Sequence, residues 1–165
     1  MAPLRPLSSH DMKSISIIVI IALGLSLTGC GPSPGELAAE ASRAMADGNP
    51  QQAVNLLQQA VEQRPDVAEF HVGLGMAYEQ TGNQPAAESA YEQALILLKQ
   101  QQAEPGHDEQ DMLNTMFVLH LLGRDEEVRQ RLQAARQQFP ESRALSEFRQ
   151  MLDETDDQAS TSTPD

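Results

Sequence analysis

His107, Asp108, Glu109 and Asp111 crowd one short stretch and offer the imidazole and carboxylate donors that could hold a divalent cation. The alternative is a solvated acidic loop in which Asp108 caps the helix that follows, and this is the reading adopted. His120 sits on an otherwise apolar helix and reads as a packed or groove-facing side chain. No glycine loop for phosphate, nucleophile elbow or zinc-protease helix motif occurs in the chain. No base stands at a defensible spacing from an orienting group, so no active site is nominated, and neither enzymatic activity nor a metal or bound cofactor is expected. A single Cys, Cys30, excludes an internal disulfide framework and any multi-cysteine zinc or iron–sulfur site.

Composition says what scaffold must carry such residues. The chain has 165 residues, with 24 Asp and Glu against 11 Lys and Arg, a formal charge of −13. That balance argues against nucleic acid as a partner, because affinity for a phosphate backbone comes from basic side chains. Aromatic residues make up 4%, so large rings cannot dominate the core. The 40% hydrophobic fraction is rich in Ala and Leu and is mixed with Gln and Glu, which is helix-forming material. An all-α fold is expected.

The N-terminus reads as an address. Ile15 to Leu27 is apolar apart from two serines and follows Lys13. As a helix it would span about 20 Å, short of the roughly 30 Å hydrocarbon core, so it is a signal-peptide segment rather than a membrane span. Met12-Lys13 is itself a conventional signal-peptide start, which leaves Met1 or Met12 as the true first residue. The sequence Leu27-Thr28-Gly29-Cys30 resembles the bacterial lipobox. That resemblance implies cleavage after residue 29 and a covalent lipid on Cys30, and two or three acyl chains anchor a protein firmly where one is marginal. Removing residues 1–29 takes away Asp11, Arg5 and Lys13, leaving 23 acidic and 9 basic side chains. Such a body is repelled by an anionic bilayer, so the lipid must hold it there. Residues 30–35 then form the anchored cysteine and a Pro/Gly tether. In similar lipoproteins Asp after the cysteine retains the protein at the inner membrane. Gly31 stands there instead, favouring the outer membrane's periplasmic face.

Beyond the tether the chain repeats with a period of 34. Gly48 superposes on Gly82, Asn49 on Asn83, Ala53 on Ala87, Gln59 on Gln93 and Ala60 on Ala94. Leu74, Gly75, Tyr78, Gly82, Ala87, Tyr91 and Ala94 give the clearest copy, which resembles the tetratricopeptide repeat, a helix–turn–helix unit. The first copy has Ala41 and Ala44 at the positions of Gly75 and Tyr78 and closes on Pro65. Pro140 lies 75 residues after Pro65, seven more than two periods, so a third copy follows an insertion placed at about 100–106. In it Gly123 answers Gly82, Val128 answers Ala87, Leu132 answers Tyr91 and Ala135 answers Ala94. Met116 replaces the small Gly75 and should widen the helix crossing there.

Small residues at the crossings let helices approach closely, while Leu, Tyr and Val at helical spacing fill between them. The pattern predicts helices near 36–47, 51–63, 67–80, 85–102, 109–122, 125–138 and 142–152, with Asp125 offered as an N-cap. The last carries Leu145, Phe148, Met151 and Leu152 on one face and reads as the cap of a short solenoid. The resemblance implies a right-handed solenoid of three repeats plus this capping helix over residues 36–152. Residues 153–165, acidic and nearly free of apolar side chains, are expected to be a disordered tail.

In proteins with this repeat the first helix of each copy lines a groove that binds a partner segment. Carried over by register, the resemblance assigns Ser42, Met45, Glu69, Val72, Met76, Glu79, Leu113, Phe117 and His120 to that surface. These positions carry no Lys or Arg to clamp a partner's terminal carboxylate, so an apolar or mildly basic segment is the expected ligand. Met45, Met76 and Phe117 make the surface adaptable. The expected function is a membrane-anchored scaffold for protein–protein interaction, positioning or assembling other envelope proteins. An alternative within the same class is a lipoprotein assisting type IV pilus or secretin assembly. The competing class is a metal-dependent sensor or enzyme built on the His107 loop, and self-association through Met116 or Phe148 is a further possibility for the solenoid.

Overall fold

A computed structural model describes residues 31–102 and 108–161, with side chains to residue 155. The signal segment, Cys30, His107 and much of the insertion lie outside the described residues. Seven helices are described: α1 (Pro34–Ala46), α2 (Pro50–Gln63), α3 (Ala68–Gln80), α4 (Gln84–Gln102), α5 (Glu109–Leu121), α6 (Asp125–Gln138) and α7 (Arg143–Thr161). No strand is found among the described residues, and no described helix is long and apolar enough to cross a membrane. Each helix packs on the next, and α1 also reaches α3.

The period has a backbone cause. Gly48, Gly82 and Gly123 end α1, α3 and α5 with φ of 75°, 78° and 68°, a left-handed conformation that side chains disfavour. Around each, two amides close back on the helix just ended. Asn49 N donates to Ala44 O at 2.8 Å, Asn83 N to Tyr78 O at 2.9 Å, and Arg124 N to Leu119 O at 2.9 Å. Gly48, Gly82 and Gly123 N donate to Met45, Glu79 and His120 O in the same register. These are Schellman closures, and each turns the chain within three or four residues into an antiparallel partner.

The positions matched across the repeats share one environment. Ala53, Leu57 and Ala60 on α2 correspond to Ala87, Tyr91 and Ala94 on α4 and to Val128, Leu132 and Ala135 on α6, and all nine are buried. They divide into two clusters. Ala41, Ala44, Val54, Leu57, Leu74 and Ala77 form the first; Tyr91, Leu95, Met116, Leu119, Val128 and Leu145 lead the second. Met116 is buried at the small-residue position, and beside it a cleft of about 200 Å³ opens between α5 and α6.

Three boundaries differ from the sequence expectation. Helix α1 takes in Pro34 and Gly35, because Ser33 caps it. Ser33 Oγ accepts from Glu36 N at 3.3 Å, Glu36 Oε2 accepts from Ser33 N at 2.7 Å, and Pro34 fills the first helical position. Arg124, not Asp125, holds the N-cap position of α6 and makes no side-chain cap bond. Helix α7 runs to Thr161 rather than ending near 152. No Gly or Pro interrupts it there, Thr155 Oγ1 donates to Leu152 O at 2.8 Å, and Gln150 and Arg149 reach Glu154 and Asp153 one turn on. The acidic residues expected to keep this stretch unfolded are instead spaced to support a helix.

Candidate partner-binding groove

The odd-numbered helices supply the candidate surface, since the even-numbered ones spend their small and large residues on the core. A cavity of about 520 Å³ lies between α1 and α3, lined by Ala38, Ser42 and Met45 on one side and by Glu69, Phe70 and Met76 on the other. A second, of about 220 Å³, is lined by Ala68, Glu69, Val72, Leu98, Asn114 and Phe117. Glu69 borders both. Its exposed carboxylate is therefore placed beside two largely apolar cavities, where a cationic group on an occupant would be favoured.

Ser42, Met45, Glu69 and Met76 thus share one cavity, and Glu69, Val72 and Phe117 share the other. Ser42, Met76 and Phe117 occupy the same register position in the three repeats. Ser42 Oγ donates to Ala38 O at 3.0 Å, which turns its hydroxyl back onto its own helix and leaves its methylene to the cavity. Met76 is 39% exposed, one of two large hydrophobic side chains exposed to that degree among the described residues.

Glu79, Leu113 and His120 line neither cavity. Glu79 Oε2 accepts the hydroxyl of Tyr91 at 2.9 Å across the α3–α4 contact. Burial, with the Glu79 carboxylate beside it, pushes the Tyr91 phenol above its ordinary pKa. Leu113 packs against the second core cluster. His120 donates Nδ1–H to Asp125 Oδ1 at 2.7 Å and so ties the end of α5 to the start of α6 across the Gly123 turn.

Phe70, Gly73 and Asn114 line the cavities yet escape the register argument. Phe70 is the clearest loss, because Glu69, Gly73, Met76 and Gln80 already mark one face of α3 at helical spacing and Phe70 lies on it. Gly73 keeps the first cavity deep: a methyl group there would approach Leu57 Cδ2 at 3.2 Å.

The acidic stretch before α5 is engaged locally. Asp108 Oδ1 accepts from Gln110 N at 2.9 Å and Asp111 N at 3.2 Å, while Asp111 Oδ2 accepts from Asp108 N at 3.0 Å, a capping box. Glu109 Oε1 accepts from Ser142 Oγ at 2.5 Å, joining the start of α5 to the start of α7. Among the described residues, no three His, Cys, Asp or Glu side chains are placed to hold a metal ion.

Residues 38–105 match the family model of the tetratricopeptide repeat. No curated protein sequence matches the chain. Of solved structures, the crystal structure of MamA is similar at 20% identity and a TM-score of 0.42, over 62% of this chain and 56% of that one. The CopN–Scc3 complex is similar at 18% identity and a TM-score of 0.48, over 73% of this chain and 67% of that one. The chain therefore spans little more than half the length of the first of these. The described residues form an all-α fold, and residues 38–105 within it carry the tetratricopeptide-repeat match.

Proposed function

We propose that this chain is a lipid-anchored adaptor that uses the groove bordered by α1, α3 and α5 to capture an apolar, mildly basic segment of an envelope protein and hold it at a bacterial membrane. The observation that carries this reading is the pair of cavities meeting at Glu69, with Met45, Phe70, Met76 and Phe117 as their large apolar side chains. Flexible thioethers and rings adapt to an incoming apolar face, and the single carboxylate between them selects against an acidic one. The protein makes no bond and breaks none in this role. The Cys30 thioether lipid supplies the membrane attachment, and Gly31 after it favours the outer membrane's periplasmic face. Assistance to a pilus or secretin assembly is one setting in which such an adaptor would serve.

The test is photo-crosslinking in the native membrane. A photoreactive side chain at Met76 or Phe117 should give one discrete adduct with an envelope protein, and the same group at Gln150, on the exposed face of α7, should not. Equal labelling from all three positions, or none from any, would contradict the groove reading.

A further inference from the structure

The methionines of this chain differ sharply in what covers them. Met76 on α3 is 39% exposed and lines the α1–α3 cavity, whereas Met116 is 1% exposed within the second core cluster. Met45, Met112 and Met151 are partly buried and pack against the two clusters. Ile96, the other large hydrophobic side chain exposed to the degree of Met76 among the described residues, carries no sulfur. A helical side chain leans over the turn N-terminal to it, and three residues before Met76 stands Gly73, which has no side chain to cover the thioether. Among the described residues Met76 is therefore the methionine most open to an oxidant arriving from solvent, and it stands on the wall of the candidate groove.

We infer that Met76 is an oxidation site, at which a peroxide converts the thioether to a sulfoxide and so releases the apolar segment held in the groove; the release, though not the oxidation, rests on the groove reading proposed above. The sulfur attacks one oxygen of hydrogen peroxide. An S–O bond forms, the O–O bond breaks, and the proton of the transferred oxygen passes to the leaving hydroxide to give water. Sulfur loses two electrons and the peroxide gains them. The product is polar and chiral where the thioether was apolar and flexible. In the free protein the sulfoxide stays hydrated, because Met76 is exposed, and α3 persists. Beneath a bound apolar segment it would be stripped of that water, which weakens the segment's hold. Glu69 lines the same cavity, so the modified wall would present two polar groups to an occupant where it now presents one. A methionine sulfoxide reductase returns the thioether, which makes the change reversible.

The experiment treats the full chain with hydrogen peroxide and then removes the oxidant. Peptide mass spectrometry follows oxygen gained at each methionine, and fluorescence anisotropy follows binding of a labelled probe, a short peptide of leucine and alanine with one central lysine. Met76 should take up oxygen about tenfold faster than Met116. Protein oxidised at Met76 should bind the probe about fivefold more weakly at unchanged circular dichroism, and methionine sulfoxide reductase should restore the binding. Met76→Leu keeps an apolar side chain of similar volume without the sulfur. Whatever its starting affinity, treatment should leave this variant at its own untreated level. Uniform oxidation of all the methionines, or slower oxidation at Met76 than at Met45, Met112 or Met151, would overturn the site. Full binding by protein oxidised at Met76, or an equal loss in treated Met76→Leu, would overturn the release and leave the groove reading intact. Untreated protein that fails to bind the probe would contradict the groove reading and the release together.

Discussion

Gly75 on α3 faces the ring of Tyr91 on α4 so closely that a methyl group there would overlap Tyr91 Cδ1 and Cε1 and stand 2.8 Å from Cζ. Tyr91 is fully buried, and its hydroxyl emerges from the core only to meet Glu79. The small residue sets the distance between the helices and the large one fills it, so the α3–α4 hairpin is fitted around this pair.

Opposite signs are therefore expected at two glycines two positions apart. Replacing Gly by Ala in a helix gains about 1 kcal/mol of propensity. At Gly75 that gain competes with overpacking against a rigid ring, typically about 1–3 kcal/mol, so Gly75→Ala should lower stability. At Gly73 the nearest atoms are the mobile end of Leu57, and Gly73→Ala should be neutral or stabilising by up to about 1 kcal/mol. Urea unfolding of both variants checks the contrast. A Gly75→Ala/Tyr91→Ala double variant should lose less than the sum of the single losses.

Alkaline pH should expose the Tyr91 environment. Its folded pKa is raised by burial and by Glu79. Below pH 10 the phenol is protonated whether folded or not; above it the unfolded chain releases the proton and the folded one keeps it. The stabilisation is complete below the unfolded value of 10.0 and is lost as pH rises beyond it. Thermal melts taken through this range should show a fall that Tyr91→Phe reduces by one proton's contribution.

Acid should loosen α1 from its capped end. Glu36 has its pKa lowered by the Ser33 backbone amide and then by the Ser33 hydroxyl. A depressed carboxylate stabilises the fold above its unfolded pKa of 4.5 and ceases to do so as pH falls through the lower folded value. Protection of the Glu36 and Leu37 amides, relative to their intrinsic exchange rates, should fall over that acid range, and Glu36→Gln should remove this fall. Ser33→Ala should cost roughly 1 kcal/mol at neutral pH.

Membrane attachment through Cys30 predicts incorporation of radioactive palmitate into the chain and its complete loss in Cys30→Ser. The Cys30→Ser protein should fractionate with the soluble proteins after cell lysis, with its helical content unchanged. Retention in the membrane fraction without label would remove the lipid from the account.

How much of this was legible in the sequence depended on how local the cause was. The Gly48, Gly82 and Gly123 turns act within one helix end, and they placed six helices to within two residues at each end. The end of α7 was missed because DETDD, read as composition, signals solvation, whereas its spacing relative to Arg149 and Gln150 builds helical pairs. For the groove, register alone put Ser42, Met76 and Phe117 on the cavity side. It could not show that Tyr91 and Asp125, on the following helices, engage Glu79 and His120, which line neither cavity.

The central claim, that the groove beside Met76 holds a partner, is tested most directly by comparing Met76→Glu with the unaltered protein in pull-down from solubilised native membranes. Met76 is 39% exposed, so a carboxylate there is hydrated and the helices should remain. Beside Glu69 it would confront an apolar, mildly basic segment with a desolvation cost on the floor of its site. The account predicts loss of the captured envelope protein at unchanged circular dichroism. Capture at the original level by a folded Met76→Glu protein would contradict it.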